Sequence, residues 1–239
     1  MQTRIVAYIM ALAPQEKNII VLTGFAGLLA AILTGVGEFL LHYDPLARFS
    51  TTGYDYMLAA TDERQTLGHF IGVLGAPLYI VGMWHMYLML RPASQKLALL
   101  LFFIGAYGFM IGADWISSRA SIGALVHFQD GGGNVGNLIE LYRLRYETLL
   151  TVVRITTLLL SLIFIGLVLT GRSYYKKWQA AFSPIILLVS SFLVFLASPE
   201  VGKFIMPIAL NVGFGIFFIM SVLQIRSITL EEELDEKDI

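Results

Sequence analysis

Six stretches of this chain run for roughly 20 residues with almost no charge, which is the length a helix needs to cross the hydrocarbon of a bilayer. They lie at about 19–41, 67–90, 97–118, 148–170, 179–198 and 204–226. The runs are continuous, without the apolar/polar alternation of barrel strands, so helices are expected rather than a β-barrel. They take up more than half of the chain and leave no room for a separate soluble domain. The expected fold is an all-α polytopic membrane bundle of six transmembrane helices. Its parts are a cytoplasmic or interfacial segment 1–18, a membrane domain 19–226 and an acidic cytoplasmic tail 227–239.

Composition points the same way. Charged residues make up 14% of the chain, against about 25% in soluble domains, so there is too little charge to cover a water-facing surface. The absence of cysteine excludes disulfides, iron–sulfur clusters, thiolate zinc sites and a cysteine nucleophile. A net charge of −1 leaves no footprint for nucleic acid. The opening Met1–Lys17 does not read as a cleaved signal peptide: its apolar run Ile5–Leu12 is short, and Pro14 follows directly on Ala11-Leu-Ala13. An amphipathic helix lying on the membrane surface suits it better.

Six spans place both termini on one side. Nine basic residues fall there, including Arg172, Lys176 and Lys177 directly after a span, and six fall on the other side, with Arg154 inside a span. The positive-inside rule then predicts a cytoplasmic-membrane protein with cytoplasmic termini. The connectors on the terminal side are terse, whereas His42–Thr66 and the stretch around Gly131–Gly136 are long. Asp55–Gln65 reads as a short surface helix with an apolar patch at Tyr56, Met57 and Leu58. Long loops are where function concentrates. No internal repeat supports an inverted-repeat transporter.

Ionisable residues at membrane depth are costly and mark functional sites. Glu38, Asp114 and Arg154 lie inside spans, and His42, His69, His85 and Glu147 near span ends. At 100° per residue, Thr34, Glu38 and His42 share one stripe, Tyr107, Asp114, Ser118 and Ser121 a second, and Glu140, Arg143, Glu147, Arg154 and Ser161 a third about 60° wide. Arg154 and Asn211 sit roughly 10 Å below the outer boundary by helical rise. Glu38, His42, His69, Asp114, Glu147, Arg154 and Asn211 are therefore expected at one membrane face. His85, near the other face beside Trp84 and Tyr87, reads as an interfacial belt residue, and His127 has no fixed position.

Glu38 and His42, spaced i,i+4, can reach one ion, and His69 and Asp114 would complete a nitrogen and oxygen set suited to a divalent metal such as zinc. Such a metal would activate water against an amphipathic substrate. Glu38, Asp114 and Arg154 are the candidate catalytic residues, and Arg154, Glu147, Asn211 and Tyr107 the candidate substrate contacts. The plainer reading is a buried network in which Arg154 finds Asp114 or Glu38 as its carboxylate partner and fixes helix packing. Glu140, Arg143 and Glu147 also read as pairs on a solvated helix extension. Gly68-x3-Gly72 and Gly108-x3-Gly112 allow close helix approach, while Pro77, Pro184 and Pro207 can kink spans. There is no Gly-x-Ser-x-Gly elbow, no phosphate-cradling Gly-x4-Gly-Lys-Ser/Thr loop and no lysine placed for a retinal Schiff base.

Three stretches, Thr34-Gly-Val-Gly-Glu-Phe-Leu-Leu41, Gly68-His-Phe-Ile-Gly-Val-Leu-Gly-Ala-Pro-Leu-Tyr79 and Pro207-Ile-Ala-Leu-Asn211, resemble bacterial multipass membrane proteins that carry no assigned function. They span about a tenth of the chain. The resemblance implies a similar six-helix fold and carries over no catalytic residue. The grouping of histidines and an aspartate at one face is also similar to the alkaline ceramidase and receptor-like hydrolase group, but the seven spans and His-x3-His pair of that group are missing. The functional expectation is an outward-facing polar cavity that takes a lipid-like or amphipathic substrate, with a metal-assisted hydrolase as its enzymatic form. An ion- or proton-coupled carrier or channel subunit, and a non-catalytic subunit of a membrane complex, are the alternatives. Membrane lipids are the expected partners, along with a second copy of the chain or a complex partner.

Overall fold

In hydrocarbon every backbone N–H and C=O needs a partner within its own segment, which favours helices for long charge-free runs. The structure is a computed structural model that describes residues 14–50 and 54–235. Among the described residues there are helices, turns and loops, and no strand. The α-helices are α1 (Pro14–His42), α2 (Asp62–Gly75), α3 (Leu78–Leu90), α4 (Gln95–Asp130), α5 (Gly136–Leu169), α6 (Pro184–Ala197), α7 (Pro199–Ile205) and α8 (Ala209–Asp235). Short 3-10 turns occupy Arg48–Ser50, Asp55–Ala59, Lys177–Phe182 and Met206–Ile208. Of the expected surface segment 1–18, residues 14–18 open α1 and 1–13 lie outside the described residues; of the expected tail 227–239, residues 227–235 continue α8 and 236–239 lie outside them.

Among the described residues, five stretches are long and apolar enough to cross a membrane: Gln15–His42, Asp62–Leu90, Gln95–Asp130, Gly136–Leu169 and Pro199–Ser227. The expected run 179–198 is not among them. Its helix α6 has 14 residues, about 21 Å at 1.5 Å per residue, because a Ser-Pro pair bounds it at each end. A residue before proline is driven out of the helical region, and Ser183 (φ −62°, ψ 146°) and Ser198 (φ −149°, ψ 91°) are both extended. Pro184 and Pro199 then each open a helix at the first turn, where no N–H is needed. Proline also divides the second stretch. The ladder lost at Pro77 resumes through Tyr79 N–H to Ala76 O and Ile80 N–H to Pro77 O, 3.0 Å each.

The expected surface helix over Asp55–Gln65 is instead a 3-10 turn at Asp55–Ala59 followed by the first turn of α2. Thr61 caps α2, its hydroxyl accepting from Arg64 N–H at 3.3 Å. Met57, expected on a surface patch, is 2% exposed and packs with Leu41, Trp115 and Tyr146. Helices α4 and α5 have 36 and 34 residues, about 50 Å each, so they extend well past a hydrocarbon layer of about 30 Å. Glu140 and Arg143 sit exposed on that extension and pair at 2.8 Å.

Two ends of the bundle are distinct. At the short-turn end Arg91 pairs with Glu16, and Tyr174 N–H donates to Met89 O at 3.1 Å. At the long-loop end the loop after α1 meets the last turn of α4, His127 Nε2 lying 2.8 Å from Ala60 O. From the Ser183–Pro184 break, α6 runs back toward the long-loop end, where Phe195 meets Phe49 at 6.1 Å between ring centroids. α1 packs against α2, α3 and α8. The closest approach is at Gly37, where an added Cβ would fall 2.4 Å from Gly72 N. Mid-bundle, Tyr79 stacks on Phe109 at 3.8 Å and both abut Phe214. Tyr79 and Phe214 are fully buried and Phe109 partly so, which makes this ring cluster the apolar layer beneath the long-loop end.

Candidate functional site

The α1 stripe turns inward because its other faces carry Ile32 and Val36, which are exposed. Glu38 is thereby buried, at 5% exposure. A buried carboxylate needs partners for its oxygens, and two helices face them, with a third bracing one of the partners. Asn211 Nδ2 donates to Glu38 Oε2 at 2.7 Å, and Tyr79 OH donates to Asn211 Oδ1 at 2.7 Å. On the other side Arg119 Nη1 stands 3.6 Å from Glu38 Oε1, with its guanidinium 3.5 Å over the Trp115 ring. One turn after Glu38, His42 Nε2 lies 3.2 Å from Tyr56 OH. Burial, first of all, pushes the Tyr56 hydroxyl well above its ordinary value.

The chain end of α1 is held in place from outside. Arg64 donates to Phe39 O, which also accepts from Tyr43 N–H, and to Tyr43 O just past the helix end. In the following turn the Asp44 carboxylate accepts from Leu46 N–H and Arg48 N–H at 3.1 Å each and from Arg48 Nε at 2.7 Å. Burial alone would raise the Asp44 carboxyl, but the Arg48 guanidinium and these N–H groups outweigh it and hold it below its usual range.

Glu38, His42 and Arg119 line a cavity of about 480 Å³ at the long-loop end. Its far wall is apolar, made by Leu150 and Val153 of α5, Leu188 and Phe192 of α6, and Leu210 of α8. Arg143, Glu147 and Arg154 of α5 lie along its rim, each of them exposed. A slot of about 30 Å³ continues beneath it past Thr34, Glu38 and Asn211 toward Tyr79. That is room for a water or two, and the buried Thr34 Oγ1 there has no partner among the described residues.

Five of the expected residues are therefore brought to one place: Glu38, His42, Glu147, Arg154 and Asn211. Three are not. Asp114 is exposed on the opposite side of α4, Tyr107 on the same helix is 54% exposed, and His69 lies off the cavity with its ring edge-on to Phe70 at 5.0 Å. The physical reason is the packing of α4. Gly105, Gly108 and Gly112 make its inward face, Met83 Sδ and Thr156 Oγ1 fitting where the first two would carry a Cβ. Trp115 and Arg119 continue that stripe, while Asp114 is turned away by 100° from Trp115.

Three expectations are corrected. The set Glu38, His42, His69 and Asp114 does not converge, and among the described residues no three His, Asp or Glu side chains are grouped to hold a metal. Glu38 is matched with Arg119 and not with Arg154, which among the described residues makes no hydrogen bond or ion pair. His85 is also displaced from its expected place in an interfacial belt. It is fully buried, Nδ1 lying 2.8 Å from Ile20 O and Nε2 2.6 Å from Ser221 Oγ, which Tyr175 OH also reaches at 2.7 Å. Sequence reasoning missed Arg119, Trp115 and Tyr56. The available signal was the run of small residues 105, 108 and 112, whose helical extension leads to 115 and 119.

Residues 15–227 match a family of unknown function, DUF6796. The chain belongs to that family. Comparison with curated proteins and with solved structures gives no match.

Proposed function

We propose that this is a polytopic membrane protein whose cavity at the long-loop end binds a lipid-like, amphipathic molecule taken from the bilayer. The observation that carries the reading is the division of the cavity: a polar floor of Glu38, His42 and Arg119 faces an apolar wall shared by α5 and α6. A cavity of 300–1,000 Å³ with a largely apolar lining and few convergent polar groups is the usual form of a small-molecule site. The wall lies where α5 and α6 face each other with few contacts, so the alkyl part of a ligand has a path to the lipid. The excess of basic residues at the short-turn end supports a cavity that faces away from the cytoplasm.

A relay across the bundle is the weaker reading. The upper polar group ends at Asn211 and Tyr79, and the lower one begins at His85 and Ser221. Between them stand Phe109, Phe214 and Phe218, packed ring on ring.

Lipid extraction and native mass spectrometry of the protein released from nanodiscs test the binding reading. The expected result is one retained amphiphile, lost when Val153→Trp and Leu188→Trp fill the wall. Retention unchanged in the filled double variant, or no retained amphiphile in the parent protein, would overturn it.

A further inference from the structure

Arg119 is 3% exposed, yet its Nε and Nη1 donate no hydrogen bond among the described residues. The nearest carboxylate oxygen, Glu38 Oε1, is 3.6 Å from Nη1, beyond hydrogen-bond reach, and Glu38 Oε2 is already committed to Asn211. A buried guanidinium with idle donors is an expensive arrangement, and it invites a partner that the chain itself does not provide. The guanidinium carbon lies 3.5 Å from the centroid of the Trp115 ring, a cation–π contact that takes up none of its N–H donors in a hydrogen bond. Arg119 lines the cavity, and so do Arg143 and Arg154, against the carboxylates Glu38 and Glu147. Arg143 is engaged by Glu140 at 2.8 Å, whereas Arg154 has no ion pair among the described residues and sits beside the apolar wall.

We propose that the ligand's polar head is an oxyanion, a phosphate monoester or a carboxylate, seated on the idle edge of Arg119 over Trp115, with Arg154 as the second cation. This deepens the amphiphile reading and rests on it. Arginine is suited to the task because its fork matches two oxygens of one anion, which lysine's single ammonium cannot do. The apolar wall of Leu150, Val153, Leu188 and Phe192 then takes the alkyl portion.

Three tryptophans are present, Trp84, Trp115 and Trp178, so a Trp84→Phe/Trp178→Phe background leaves Trp115 as a fluorescent reporter beneath Arg119. The probes are dodecyl phosphate, laurate, uncharged dodecanol and inorganic phosphate, titrated into protein in a neutral maltoside detergent. Dodecyl phosphate or laurate is expected to change Trp115 emission saturably and to bind well ahead of dodecanol. Arg119→Gln and Arg154→Gln are each expected to weaken the preferred anion by about tenfold or more, the worth of a charge-assisted hydrogen bond. Arg119→Lys, which keeps the charge next to Glu38, is expected to lose affinity as well, because the fork is gone. It is the variant to read if Arg119→Gln does not fold.

Dodecanol binding as tightly as both anions, with affinities unmoved in Arg119→Lys and Arg154→Gln, would overturn the oxyanion head and leave the amphiphile reading standing. Inorganic phosphate binding as tightly as dodecyl phosphate, with the same loss in the arginine variants, would support the anion seat and overturn the lipid source. No response to any amphiphile would overturn both.

Discussion

Replacing Gly37 by alanine tests the packing that presents Glu38 to the cavity. An added Cβ at Gly37 would lie 2.4 Å from Gly72 N, 2.5 Å from Gly72 Cα and 2.7 Å from Gly68 O. Carbon contacts are comfortable at about 3.5–4.0 Å, so α1 and α2 must part by about 1 Å. All three obstacles are backbone atoms, and no side chain can swing away to absorb the change. Overpacking of this kind costs typically about 1–3 kcal/mol, and a rigid neighbour places this site at the upper end. A chain of this size loses about 2–4 °C of melting temperature per kcal/mol, which predicts a fall of roughly 5–10 °C. Gly166 is the matched control, because a Cβ there meets nothing within 4 Å. Gly166→Ala is expected to hold or raise the melting temperature, since alanine favours a helix by up to about 1 kcal/mol. Both variants are read by thermal unfolding in the same detergent. Gly37→Ala melting with or above the parent protein would refute the close backbone contact of α1 with α2, and with it the fixed position of Glu38.

The remaining predictions concern the polar groups. Glu38→Gln leaves the buried Arg119 without its counter-charge and is expected to destabilise by about 3–5 kcal/mol, with part recovered in Glu38→Gln/Arg119→Gln. Asp114→Asn, exposed on the other side of α4, is expected to stay within about 0.5 kcal/mol of the parent, and thermal unfolding of the three variants side by side separates the two carboxylates. Ser221→Ala strips the shared partner from His85 and Tyr175 in a fully buried place, and its expected cost is about 1–3 kcal/mol, read as a lowered melting temperature. The Asp44 carboxyl is held below its ordinary value of 3.8, so its contribution is full above that pH and is lost as pH falls through the lower folded value. The gap in melting temperature between the parent and Asp44→Asn is thus expected to be constant near neutrality and to close in acid; a gap that widens in acid would reverse the sign.

Much of this architecture is legible in the sequence because the bilayer imposes one rule on every segment. A charge-free run of sufficient length must satisfy its own backbone, and composition alone therefore locates helical runs at about 19–41, 97–118 and 148–170, whereas the charged extensions that carry α4 on to Asp130 and start α5 at Gly136 are set by the structure. The same reasoning locates α6 but misjudges its ends, because hydropathy does not register that Ser183-Pro184 and Ser198-Pro199 interrupt the helical backbone. The stripe Glu38–His42 and the rim residues Arg143, Glu147 and Arg154 were also readable, since helical spacing on one segment is a local property.

Which polar residue of α4 faces inward is different in kind. Asp114 and Arg119 both lie near the same end of that helix, and its periodicity allows either face to be buried. The choice follows from what packs against it: Met83 and Thr156 fill the glycine face, rotating Trp115 and Arg119 inward and Asp114 and Tyr107 outward. His85 is decided in the same way, by Ile20 and Ser221 from other helices. The sequence by itself determined that this chain is helical, apolar and sparing with charge, because those are properties of single segments. Only the tertiary structure decided that Arg119 shares the cavity with Glu38, because the pairing of residues so far apart in sequence depends on helix rotation, which is set by contact between segments.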